Sequence, residues 1–239
     1  MRITARETRT KEKEAGPATG VPPIGRHHNQ AIARFTDRES GPDTDPHSPF
    51  WRQAPSVFAA SDTYGRIVPD HRTEIRTNWS LTSLYILFVC PYLELNLKPN
   101  PEIAAETYEL WNWDVAEVFI GSDFQNIRRY KEFELSPQGE WVDLDIDLDR
   151  PRPEEGWLWS SRFEAAARIE TSLRIWYGFM RIPYSAIDTR PAAAGNRLRI
   201  NFFRCQGPKR NRKQIAWQPS GSTTFHVPEM FGTLKLVKS

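Results

Sequence analysis

From about residue 74 onward the chain alternates apolar and polar positions over short runs, separated by Pro, Gly, Asn and Ser. The clearest run is WVDLDIDLD at 141–149, where Val142, Leu144, Ile146 and Leu148 alternate with Asp143, Asp145, Asp147 and Asp149. A period of two is the mark of a half-buried strand. Similar runs predict strands at Glu74–Trp79, Leu84–Cys90, Val115–Gly121, Tyr130–Ser136, Phe163–Ile169, Leu173–Ile182, Arg197–Arg204 and Thr233–Val237. At most a helical turn or two is expected at Glu102–Tyr108, and another short turn at Pro183–Ile187. Many short strands joined by turns predict an all-β fold, a two-sheet antiparallel β-sandwich.

Residues 1–33 are charged, broken by Gly and Pro, and show no apolar period, so they read as a flexible tail ahead of one domain at 34–239. Phe50-Trp51 reads as the start of the packed part. The length of 239 residues suits one large all-β domain with such a tail. With 32 basic against 30 acidic side chains, the formal charge of +2 gives no argument for nucleic acid or an anionic membrane surface. The basic stretch Lys209–Lys213 therefore reads as a solvated hairpin loop. No apolar run is long enough to span a bilayer, and MRITARETRTKEKEAG lacks the apolar core of a secretory signal. Cys90 and Cys205 fall in separate strands and read as two buried thiols, with a single disulfide the alternative if those strands are neighbours.

Chemistry concentrates in WNWDVAEVFI at 111–120. Extended backbone would place Trp111, Trp113, Val115 and Glu117 on one face, and indoles beside a carboxylate suit a sugar: rings cover its C–H face while the carboxylate accepts from hydroxyls. Asn112, Trp113, Asp114 and Trp217 are rim candidates, with a core position the alternative for Trp217. His226 is a candidate donor to a hydroxyl, or else a packing residue. The carboxylates of 143–149 read as a solvated face, since alternating side chains along one strand lie too far apart to share an ion. No nucleophile elbow, phosphate-binding glycine loop or zinc helix is present in the sequence.

Read together, WNWDVAEVFI, GSDFQNIRRYKEFELSPQGEW at 121–141 and IAWQPSGSTTFHVPEMFGTLKL at 215–236 resemble the family 9 carbohydrate-binding modules. The closer likeness is to their stand-alone, family 9-like branch within the DOMON-like group, over roughly residues 45–239. The resemblance implies a jelly-roll-like sandwich that clamps a terminal sugar or short oligosaccharide between two aromatic rings without catalysis. It puts Trp111 and Phe225 in the clamp, Glu117 on the sugar hydroxyls, and Glu134 where the family carries an arginine. Glu134 on its own reads as an ordinary solvent-facing strand residue, with Arg128, Arg129 or Arg204 as other sources of a guanidinium. The resemblance implies no cofactor beyond structural calcium, a carbohydrate as partner, and a role outside the cell, although no leader is visible. Rival expectations are a haem-binding sandwich with Met180, Met230 or His226 as axial ligands, a glycoside-processing enzyme, and a protein-interaction sandwich anchored by Trp111.

Overall fold

The structure, a computed structural model, describes residues 29–150 and 157–238. The first 28 residues, most of the segment read as a tail, lie outside the described residues. The strands are β1 (Gln30–Phe35), β2 (Ser56–Ala59), β3 (Thr73–Trp79), β4 (Ser83–Pro91), β5 (Val115–Gly121) and β6 (Arg129–Leu135). They continue as β7 (Trp141–Asp147), β8 (Glu164–Glu170), β9 (Ile175–Pro183), β10 (Arg197–Gln206), β11 (Lys213–Ala216) and β12 (Gly232–Val237). Each of the nine expected strands is present. The turn at Pro183–Ile187 is a short helix, α1 (Tyr184–Ile187). No helix forms at Glu102–Tyr108; a single 3-10 turn follows instead at Leu110–Asn112.

The strands pair in the order β7-β6-β5-β10-β12-β1-β3-β4-β9-β8, with β11 beside β10 and β2 beside β3. This path folds back on itself into a two-layer β-sandwich. Its central core is built from alternate residues of facing strands: Ala116, Val118 and Ile120 of β5, Phe133 and Leu135 of β6, and Leu84, Ile86 and Phe88 of β4. Phe88 meets Phe202 edge-on across the layers, with ring centroids 6.1 Å apart. Gly178 allows the close approach: a Cβ there would stand 3.0 Å from Trp176 and 3.1 Å from Leu135. Full burial of each large apolar side chain contributes about 1.5–3 kcal/mol.

Two features depart from the expectation. The sandwich is not wholly antiparallel, because β1 runs parallel to both β12 and β3 and closes the seam between the two halves. That strand begins at Gln30, inside the stretch read as tail. Its buried residues are Ala31 and Ala33, too small to produce an apolar signal, yet they seal against the central core.

The outer face of each layer is covered as well. Tyr85, Leu87 and Phe179 are capped by Phe50 and Trp51, which explains why β4 reads as an unbroken apolar run. On the opposite layer, Val115 and Phe119 join Tyr130, Val142, Leu144, Ile146, Phe203 and Phe225 in a second apolar cluster. The alternation of β7 therefore feeds this outer cluster. Its aspartates are not all solvated: Asp145 is exposed beside Lys131 (2.6 Å), but Asp143 is fully buried and accepts from the Ser161 amide at 2.8 Å and from its hydroxyl. Cys90 and Cys205 are buried and free, and burial pushes the Cys90 thiol up to about 12. No helix among the described residues is long and apolar enough to cross a membrane.

Candidate functional site

A cleft of about 330 Å³ opens on the outer cluster. Its floor comes from β5 and β6, where Glu117 pairs directly with Glu134 and Phe119 with Glu132. Alternation gives these strands two faces, so Ala116, Val118 and Phe133 enter the core while Glu117, Phe119 and Glu132 line the cleft. The walls are Trp111, Trp157, Phe225 and His226, with Asn112, Thr223, Thr224 and Arg212 at the lip.

Trp111 is presented by the 3-10 turn, which is entered through Glu109 in left-handed backbone (φ 58°) and anchored by the buried Leu110. Its ring is half-buried and packs edge-on against Tyr108 at 5.2 Å. The turn is tied from across the cleft by Arg212, which donates to the Trp111 carbonyl and to that of Trp113 at 2.8 Å. Phe225 stacks on Phe203 with centroids 4.1 Å apart and planes 12° apart, so only its other face is free for a ligand. His226 Nδ1 lies 2.7 Å from the Tyr130 hydroxyl, and its Nε2 is 4.0 Å from Glu132.

The floor is strongly acidic. Burial, then the charge of Glu132, pushes the Glu117 carboxyl up to about 8. Burial, then Glu117 and Glu132, holds Glu134 well above the ordinary carboxylate range.

Trp111, Asn112, Glu117, Phe225 and His226 are thus brought to one cleft. Glu134 is not solvent-facing; it is fully buried beside Glu117, because the outer cluster covers this face of β6. Trp113 does not line the cleft, since the turn at 110–112 breaks the extended backbone that would have aligned it with Trp111 and Glu117. Trp217 belongs to the central core, packed on Phe202 at 5.6 Å and closely over Gly232. Asp114 is an anchor rather than a rim residue, accepting from the amides of Asn96 (3.0 Å) and Gly207 (2.6 Å) and from Gln206 (2.8 Å).

None of the three expected arginines reaches the cleft. Arg128 and Arg129 pair with Asp149 and Asp147, and Arg204 is buried with the Pro91 carbonyl at 2.7 Å. The guanidinium at the site is Arg212, from the stretch read as a solvated loop. Glu132, Trp157 and the two threonines were also missed. Glu132 carried a usable signal, since it shares its face with Glu134 in RYKEFEL; Arg212 and Trp157 carried none. The haem-ligand candidates are scattered: Met180 is in the central core, Met230 is exposed, and His226 is engaged with Tyr130. A larger hollow of about 800 Å³ near Tyr64, Ile67 and His71 is also polar, but Tyr64 and His71 are the aromatic rings in its lining and it has no indole.

No protein-family model and no curated protein sequence matches the chain. Solved structures do. A family 9 carbohydrate-binding module from Caldicellulosiruptor kristjanssonii, in complex with cellotriose, aligns with a TM-score of 0.64 at 12% identity, over 88% of this chain and 94% of its own. A family 9 module from the same organism, in complex with glucose, gives 0.60 at 13% identity, over 88% of this chain and 96% of its own. A candidate carbohydrate-binding protein from Bacteroides uniformis gives 0.66 at 16% identity, over 87% and 98%. The chain has the fold of the family 9 carbohydrate-binding modules.

Proposed function

We propose that the chain is a non-catalytic carbohydrate-binding module that takes a sugar ring into the cleft between Trp111 and Phe225. The observation that carries this reading is the convergence of aromatic rings with buried carboxyls in one small, open cleft. Indole and phenyl faces suit the C–H face of a sugar, while Glu117, Glu132, His226 and the threonine hydroxyls offer donors and acceptors for its hydroxyls. A volume of about 330 Å³ is at the small end of ligand sites, which favours a terminal residue or short oligosaccharide over a long chain. Neighbours of this fold were solved with cellotriose and glucose, so glucose and short β-glucans are the first ligands to try.

Binding without turnover is favoured by the placement of the acids. Glycoside cleavage uses two carboxyl groups about 5–9.5 Å apart that flank the scissile bond. Here Glu117 and Glu132 line the cleft from one side, its floor, and Glu134 is buried beside Glu117, so the acids do not flank the space a sugar would occupy.

The test is a fluorescence titration with mono- and oligosaccharides. Saturable binding is expected with a dissociation constant on the order of micromolar to millimolar, as one ring buries little area. Trp111→Ala should lower affinity by more than about tenfold with the fold unchanged by circular dichroism. A variant that keeps full affinity would sink the clamp.

A further inference from the structure

The cleft floor gathers more carboxyl groups than its surroundings could neutralise if all were ionised. Glu117, Glu132 and Glu134 are 2%, 3% and 0% exposed. Glu117 Oε1, Glu132 Oε2 and both oxygens of Glu134 find no N–H or O–H donor among the described residues while the acids are ionised, and the neighbour within reach of Glu134 is another carboxyl, Glu132. The cations at the cleft are Arg212 and, when protonated, His226. Arg212 is committed to backbone carbonyls, and His226 stands 4.0 Å from Glu132. Three carboxylates cannot all ionise in so dry a place without a counter-charge. They converge: one oxygen from each lies within 4.8 Å of the other two. With no separation above that bound, a point between the three oxygens lies within about 2.8 Å of each, so a small inward shift of the side chains brings all three to calcium–oxygen distances of about 2.3–2.6 Å.

We propose that Glu117, Glu132 and Glu134 form a binding site for a calcium-sized divalent cation whose remaining coordination positions face the cleft and receive neighbouring hydroxyls of the sugar. Donors that are all carboxylate oxygen select a hard cation over zinc or copper. Glu117 and Glu132 line the cleft while Glu134 lies fully buried beside Glu117. The ion is thus held at the floor with one side open. A cation there supplies the directed positive centre that this floor otherwise lacks. The metal site stands on the carboxylate geometry alone; the sugar step rests on the carbohydrate reading above.

The full chain, stripped with EDTA, is titrated with calcium chloride by calorimetry and followed by thermal melting. Manganese and magnesium serve as comparison ions. One equivalent of calcium should bind saturably and raise the melting temperature. Glu134→Gln, which keeps the side-chain shape, should lower the affinity by more than about tenfold. Glu132→Gln should do the same, and is the variant to use if Glu134→Gln fails to fold. No saturable binding up to millimolar calcium, or an isotherm unchanged in both variants, overturns the site. Sugar titrations are then repeated with calcium and with EDTA. Equal sugar binding in both overturns the coordination step and leaves the carbohydrate reading standing. Calcium binding with no response to any sugar keeps the metal site and removes the carbohydrate reading.

Discussion

Arg212 holds the turn that presents Trp111, although the two residues are 101 positions apart. Its planar guanidinium reaches the carbonyls of both Trp111 and Trp113, a geometry that a point-like ammonium does not reproduce. Arg212→Ala should therefore weaken sugar binding and cost about 1–3 kcal/mol of stability in a denaturant melt. Arg212→Lys should recover little of the affinity. A variant with unchanged affinity would show that the turn holds without the guanidinium. That Trp111 and Glu117 share one cleft was legible because ring and carboxylate stand close in sequence. Arg212 was not, because a basic run on a surface loop looks the same whether or not one member folds back. Glu134 was misread for a related reason. Alternation names two faces but not which of them is covered, and here both are.

The strands with branched or aromatic residues declared themselves: β3 to β7 and β9 carry enough apolar side chains to show their period. Those the pattern missed, β1, β2 and β11, are short or rely on small residues, and their place is set by pairing with strands far away in sequence. The parallel seam of β1 has no local signal, because nothing nearby in sequence tells a strand which neighbour it will meet. Its importance can be measured. Ala33 is fully buried against the central core, so Ala33→Asp would bury a charge with no partner. A loss of about 3–5 kcal/mol in chemical denaturation is expected, whereas Ile32→Asp, at the partly exposed position beside it, should cost far less. Equal losses at the two positions would show that β1 is not sealed against the core.

Over the whole molecule, stability carries a pH term from the loop that leads to the cleft. Burial, then the charge of Asp143, pushes the Glu106 carboxyl up to about 7 from its ordinary 4.5. The fold thus favours the protonated form. Its contribution is fully present below about pH 4.5 and is lost as pH rises through about 7. Melting curves across that window should show wild type losing stability relative to Glu106→Gln as pH rises. A constant difference between the two would refute the shift. Other groups add trends of their own: Asp147, Asp188 and Glu39, with lowered values, remove stability as pH falls, while Glu117, Glu134, Asp114 and Asp143, with raised values, remove it as pH rises, so the comparison with the variant is the informative one.

Strands β5 and β6 are covered on both sides, by the central core beneath and by the outer aromatic cluster above. Their amides should be among the slowest in the chain to exchange with deuterium, well behind those of the exposed turn at 209–211. The floor on which a ligand rests then belongs to the part of the molecule that opens last. Occupancy can slow exchange at the 110–113 and 223–226 segments but has little room to slow it further at the floor. A deuterium-exchange map taken with and without ligand would therefore light up the lip and stay dark underneath.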